Sequence, residues 1–234
     1  MLVVELERFY AKIFAAGFFY SMFAMFAAGI MAKVFFVPAI ITVLALICGC
    51  VICAYRTERF TTYARFRLFT NILLAPMMAF VLILAVSYKL SKLEPIVAIL
   101  LSCGPFAVVG LAYVVVCHWS TNRQVLKVVG TRVEVLEDAP SHSPWLAGLS
   151  AAVGSLVFSI FREYDNFYLG VIVLTISISI YMVCYSRHSI SSLRTLRRQE
   201  ESERRQYTFM EIEAIREKRA ASLLGRLFAK KHSR

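Results

Sequence analysis

A chain of 234 residues that is 59% hydrophobic, with mean hydropathy +0.67, would expose too much apolar surface as a water-soluble domain. Its formal net charge of +11 is carried wholly outside six stretches that contain no Asp, Glu, Lys or Arg: 13–32, 34–55, 68–88, 95–122, 139–161 and 166–186. At about 1.5 Å of rise per helical residue, each can cross a hydrocarbon layer of roughly 30 Å. Peptide groups in lipid must be satisfied within helices or a closed barrel, and apolar runs such as 81–86 lack the alternating polarity of barrel strands. The sequence therefore predicts an all-α integral membrane protein, a bundle of about six transmembrane helices. The polytopic domain covers 1–186, with spans near 13–32, 34–55, 68–88, 95–118, 144–161 and 166–186. A short cytoplasmic β-hairpin is expected near 124–136, and a basic helical tail with an amphipathic helix over 187–234.

Taken in chain order, Glu5 and Glu7 precede a run too long for a signal-peptide core, which predicts an uncleaved signal anchor. Gly17, Ser21, Ala24 and Ala28 give the first helix a face of small side chains. Such faces let helices approach where lipid removes the hydrophobic drive, within the chain or in a homo-oligomer. Only Lys33 separates the first two runs, and Pro38, acceptable in a first helical turn, favours a tight re-entry.

The second run ends in Cys48, Cys50 and Cys53. The string Cys50-Val51-Ile52-Cys53-Ala54-Tyr55, followed by Glu58-Arg59, resembles the redox motif of the bacterial quinone reductases that generate disulfides, over about ten of the 234 residues. In that family the motif faces the oxidising side and works with a cysteine pair in an external loop; here it lies on the arginine-rich side, and the external turns have no cysteine. The resemblance implies thiol chemistry at Cys50 and Cys53. As residue types they are equally suited to small apolar packing. Cys117-His118 and Cys184 with His188 end their runs at the same level, which also admits soft metal ligation.

Residues 56–67 read as a loop in which Arg alternates with Phe60, Tyr63 and Phe66, the composition of an interfacial anchor. In the fourth run Ser102-Cys103-Gly104-Pro105 predicts a kink near Leu101, since proline removes a backbone hydrogen bond. Gly104 and Pro105 are accordingly the candidates for a transport-related break. Apolar-rich segments 124–129 and 132–136 flank Gly130-Thr131 and read as a hairpin, which alone would be marginal and should lean on the bundle, the tail or a partner. Glu134, Glu137 and Asp138 are expected to be solvated. In the fifth run Trp145 is placed as an interfacial anchor, and Gly148 with Ala152 and Ser150 with Gly154 repeat the small-residue pattern.

Threading six spans puts 22 of the 26 Lys and Arg residues on one face and leaves Lys33, Lys89, Lys92 and Arg162 on the other. Without the tail the ratio is still 9 to 4, so the positive-inside rule predicts both termini inside. Bacterial inner membrane, endoplasmic reticulum and organellar membrane are not distinguished. In the tail, Arg197, Glu201 and Arg205, with Glu200 and Arg204, supply opposite charges four apart, the pattern of a solvated, projecting helix. Farther on, Ala220, Leu223, Leu224, Leu227 and Phe228 form an apolar stripe flanked by Arg216, Lys218, Arg219, Arg226, Lys230 and Lys231. Such a helix suits an anionic leaflet or a protein partner.

No span carries an ionisable Asp, Glu, Lys or Arg in its interior, as proton-coupled carriers and voltage sensors require, and no phosphate loop, Gly-x-Gly-x-x-Gly or Gly-x-Ser-x-Gly occurs. The expected function is a non-enzymatic membrane scaffold, anchor or assembly subunit that presents its basic tail to a partner protein or anionic lipid. The alternatives are a channel or transporter for a small uncharged solute, using Gly104 and Pro105, and a thiol or metal protein using Cys50 and Cys53. No cofactor, metal or nucleic acid is expected.

Overall fold

The computed structural model describes residues 9–119, 125–136, 167–222 and 225–226, and these are mostly helical. The first two apolar runs form α1 (Phe9–Ile30) and α2 (Ala32–Val51), the latter continued by a π-helical turn, Ile52–Arg56. Met31 alone breaks them, with φ −133° and ψ 68°. Gly17 lies against Cys50, while Ala24 and Ala28 cluster with Ala39 and Val43. Positions that rise along α1 fall along α2, so the two runs are two antiparallel helices. Their approach depends on a missing side chain: a Cβ at Gly17 would lie 2.6 Å from Cys50 Sγ.

α3 (Phe60–Ala85), extended by a second π-helical turn, Val86–Leu90, starts well before the charge-free run does. The segment expected as an anchoring loop is thus a three-residue connection followed by the first two turns of a helix. Phe60, Tyr63 and Ala64, at helical spacing, are buried against residues of the 126–133 segment and the tail, so a face that resembles an anchor in the sequence is core. Pro76 is accommodated inside α3 and buried.

The fourth run divides into α4 (Pro95–Ser102) and α5 (Gly104–His118) at Cys103, just beyond the expected kink at Leu101. α6 (Phe167–Tyr185) and α7 (Arg187–Glu203) follow, and the axis bends by 47° about Ser186. Segments Phe9–Ile30, Ala32–Arg56, Phe60–Leu90 and Pro95–His118 are long and apolar enough to cross a membrane, and the bent α6–α7 pair makes a fifth if it is one span. Among the described residues the count is four to five rather than six. The expected span near 144–161, with Trp145 and its small-residue pairs, lies outside them. Phe18, Ile41, Leu100 and Leu111 face outward, which suits lipid and not water.

The hairpin forms as β1 (Leu126–Val129) and β2 (Arg132–Val135), antiparallel about Gly130, whose φ of +63° is the left-handed conformation such turns demand. Its support comes from the tail: β3 (Thr208–Phe209) adds parallel to β2, with Val133 opposite Phe209, and Ser192 Oγ accepts the Val125 amide at 3.1 Å. The described part of the tail therefore does not project. Arg204, at φ 52° and ψ 30°, closes α7 in the left-handed region, and β3 and α8 (Ile212–Ala221) fold back onto the spans. One apolar cluster joins Phe9 and Ile13, Ala54 and Tyr55, Phe60 and Tyr63, Leu126 and Val133, Leu196, Tyr207, Phe209, Ile212 and Ile215. It is a cap on the ends of α1, α2 and α3.

Candidate functional site: the juxtamembrane cap

The cap is held by charges as well as by its apolar centre. Glu200, 5% exposed, accepts hydrogen bonds from an Arg59 guanidinium nitrogen at 3.0 Å, Thr61 Oγ1 at 3.0 Å and the Tyr207 amide at 2.9 Å. A buried carboxylate is tolerable only when satisfied in this way. The expected pairing of Glu200 with Arg204 on a solvated helix is replaced by this internal role, while Arg197 and Glu201 do pair at the surface, at 2.9 Å. Tyr207 is the hinge piece. Its carbonyl accepts the Phe60 amide, its hydroxyl donates to Glu203, and burial followed by that carboxylate holds its phenol above the usual range.

Two arginines of α8 bind the turn between α2 and α3. Arg216 makes two bonds to Glu58, at 3.2 and 2.8 Å, and the hydrogen bond raises its pKa further. Arg219, 3% exposed, donates to the carbonyls of Ala54 and Thr57, both at 2.8 Å. It thereby caps the carbonyls that a helix end leaves open. Burial lowers its pKa, an effect offset in part by Tyr10 and Glu58 nearby. Arg219, expected among partner-facing residues, thus lies inside the chain. Lys218, Ala220 and Arg226 are exposed, and Leu223, Leu224, Leu227, Phe228, Lys230 and Lys231 lie outside the described residues.

Cys50 and Cys53 are buried free thiols, Cys50 filling the space over Gly17 and Cys53 facing the cap. Thiols in such surroundings are ordinarily inert. Among the described residues no three His, Cys, Asp or Glu side chains stand where they could hold a metal, so Cys117, His118, Cys184 and His188 do not gather with them. At the break before Gly104 and Pro105, Ser102 Oγ donates to the Ala98 carbonyl at 2.6 Å and the Cys103 carbonyl accepts the Phe106 and Ala107 amides, so helical bonding resumes within one residue.

Beside the cap, α3, α5 and α7 enclose a cleft of about 510 Å³. Its rim carries Arg59, Arg65, Arg194 and Arg197 with Glu200 and Glu201; its floor is Leu68, Phe69, Tyr113, Ile190 and Leu193. Arg59 and Arg197 are taken up by the two glutamates. Arg65 instead lies 5.6 Å over the Phe69 ring, and Arg194 donates to the Cys117 carbonyl at 2.7 Å. Neither meets a carboxylate among the described residues.

Of the cap residues, Glu58 reads in the sequence only as part of the cysteine motif and Glu200 as a solvated helix charge, while Tyr207 has no assigned role there. Tyr207-Thr208-Phe209 did carry a signal, a short β-prone run with aromatics on alternate positions. No family model matches this chain, and no curated protein or solved structure matches it either.

Proposed function

We propose that this protein is a non-enzymatic membrane scaffold or assembly subunit, with six spans and both termini inside, whose folded cytoplasmic cap anchors the basic end of the tail and presents it to a partner. The observation that carries this reading is the return of the tail onto the span ends through Glu200, Arg216 and Arg219. A tail fixed in this way is a preorganised platform, and its ordering entropy need not be met again on binding. Six spans are favoured because α5 and α6 both finish on the capped face, where Val116 and Val183 share a cluster. Two successive helices running the same way need a crossing between them, and the charge-free run 139–161 is long enough for one. The excess of Lys and Arg on the capped face favours the cytoplasmic side for it.

Transport and thiol chemistry gain no comparable support, because the helix resumes within one residue of its break and the two cysteines are packed. The test is truncation after Ser222, which removes the stripe and basic residues beyond α8 and spares the cap. The expected result is an inserted chain that no longer co-purifies a stoichiometric partner from native membrane; unchanged co-purification overturns the reading. Truncation after Ser189 would also remove Leu196, Tyr207, Phe209 and Ile215 from the cap, and so is the poorer experiment.

A further inference from the structure

We infer that the arginine cleft and the groove beside it form one binding site for an anionic phospholipid of the leaflet that contacts the cap. The inference rests on the proposal that the capped face lies at a membrane surface, and adds to it a ligand that the scaffold role does not need. Three observations carry it. First, the cleft holds four arginines against two glutamates, and the arginines left without a carboxylate, Arg65 and Arg194, come from different helices and both lie within electrostatic reach of the Tyr113 hydroxyl. The site is therefore built with an unmet demand for an anion, and guanidinium suits phosphate in geometry as well as charge.

Second, Arg65, Thr62 and Phe69 also line a separate apolar groove of about 410 Å³ on the other flank of α3, walled by Tyr20, Leu46, Phe66 and Leu73. The Tyr20 hydroxyl is already engaged with the Thr70 carbonyl, so it leaves the wall apolar in character. Third, the groove runs inward from the cleft. Leu73 follows Arg65 by eight positions on α3, ~12 Å deeper along the helix. A ridge one side chain wide thus separates a cationic cleft at headgroup level from an apolar channel at acyl level. A soluble phosphate would use only the first; a phospholipid astride Arg65 uses both. Volumes of this size are ordinary for small-molecule sites.

The test uses the full chain purified in detergent and delipidated, with retention of phosphatidylglycerol, phosphatidylcholine and water-soluble glycerol phosphate measured by native mass spectrometry. Phosphatidylglycerol is expected to bind at least about tenfold more tightly than phosphatidylcholine, as charge at a basic site dictates. Arg65→Gln with Arg194→Gln should erase that preference, whereas Arg198→Gln, on α7 but outside the cleft, should leave it intact. Leu46→Trp, which fills the groove, should weaken long-chain lipid and leave glycerol phosphate unaffected. Equal retention of the two lipids, or a preference that survives the double variant, overturns the inference; glycerol phosphate binding as tightly as the lipid would assign the cleft to a soluble anion and overturn it too. Lipid preference is read on the isolated chain and should persist after truncation at Ser222, so its failure is separate from failure of the scaffold reading.

Discussion

Glu200 and Arg59 meet at 3.0 Å although 141 residues separate them, and their contact ties the tail to the entrance of the third span. Because Thr61 and the Tyr207 amide share the same carboxylate, one side chain joins α7, α3 and the strand that completes the sheet. Glu200→Ala strands a buried amide and a hydroxyl, each worth about 1–3 kcal/mol when left unsatisfied. The variant should insert normally yet show a lower melting temperature of the cap in detergent and faster tryptic cleavage after Arg205. Glu200→Gln, which keeps an acceptor, should lie between it and the native chain.

The α1–α2 hairpin makes a second, independent forecast. Gly17→Ala drives a methyl group into Cys50 Sγ, and overpacking of this kind costs about 1–3 kcal/mol. Cys50→Ala in the same chain removes the obstacle and should recover most of the loss, so the two substitutions are non-additive in thermal unfolding. If Cys50 instead served thiol chemistry, Cys50→Ala alone would abolish function while leaving stability nearly unchanged.

Alkaline pH should loosen the cap. The Tyr207 phenol is raised in the folded chain, first by burial and then by Glu203. A group raised on folding contributes stability that is complete below its unfolded pKa, about 10, and is lost as pH climbs past that value. Melting of the cap should therefore fall from about pH 10 upward, and Tyr207→Phe should flatten that slope while costing about 1 kcal/mol at neutral pH for the lost hydrogen bond to Glu203. Circular-dichroism melts across this range would check both.

Orientation can be read by impermeant maleimide labelling of single cysteines in sealed native vesicles. Cysteines replacing Lys33 and Lys92 should react from one side, and those replacing Lys127 and Lys218 only from the other. Reaction of all four from the same side would contradict a topology with the hairpin and tail together inside.

The helices were legible in the sequence because lipid imposes length and charge limits that few other environments do, and the hairpin because Gly130 marks its turn. The cap was not, because its parts lie far apart in the chain. Phe60 and Tyr63 look like interfacial anchors until Phe209, almost 150 positions later, is placed on them. Glu200 and Arg204 look like a solvated pair until Arg59 and Tyr207 take the carboxylate. Arg216 and Arg219 read as free surface charge for the same reason: their partners, Glu58 and the carbonyls of Ala54 and Thr57, belong to a turn more than 150 residues away. A local pattern cannot show which of its polar groups a distant segment will claim.

Amide hydrogen exchange on the full chain in lipid nanodiscs addresses the docked tail most directly. The Thr208 amide donates to Thr131, the Phe60 amide to Tyr207, and the Tyr207 amide to buried Glu200. If the tail is part of a folded cap, these three amides are protected together, exchange on a scale near that of the α3 backbone, and lose protection together in Glu200→Ala. Exchange of Tyr207 and Thr208 at the rate of an unstructured peptide, with Phe60 unaffected by Glu200→Ala, would contradict it.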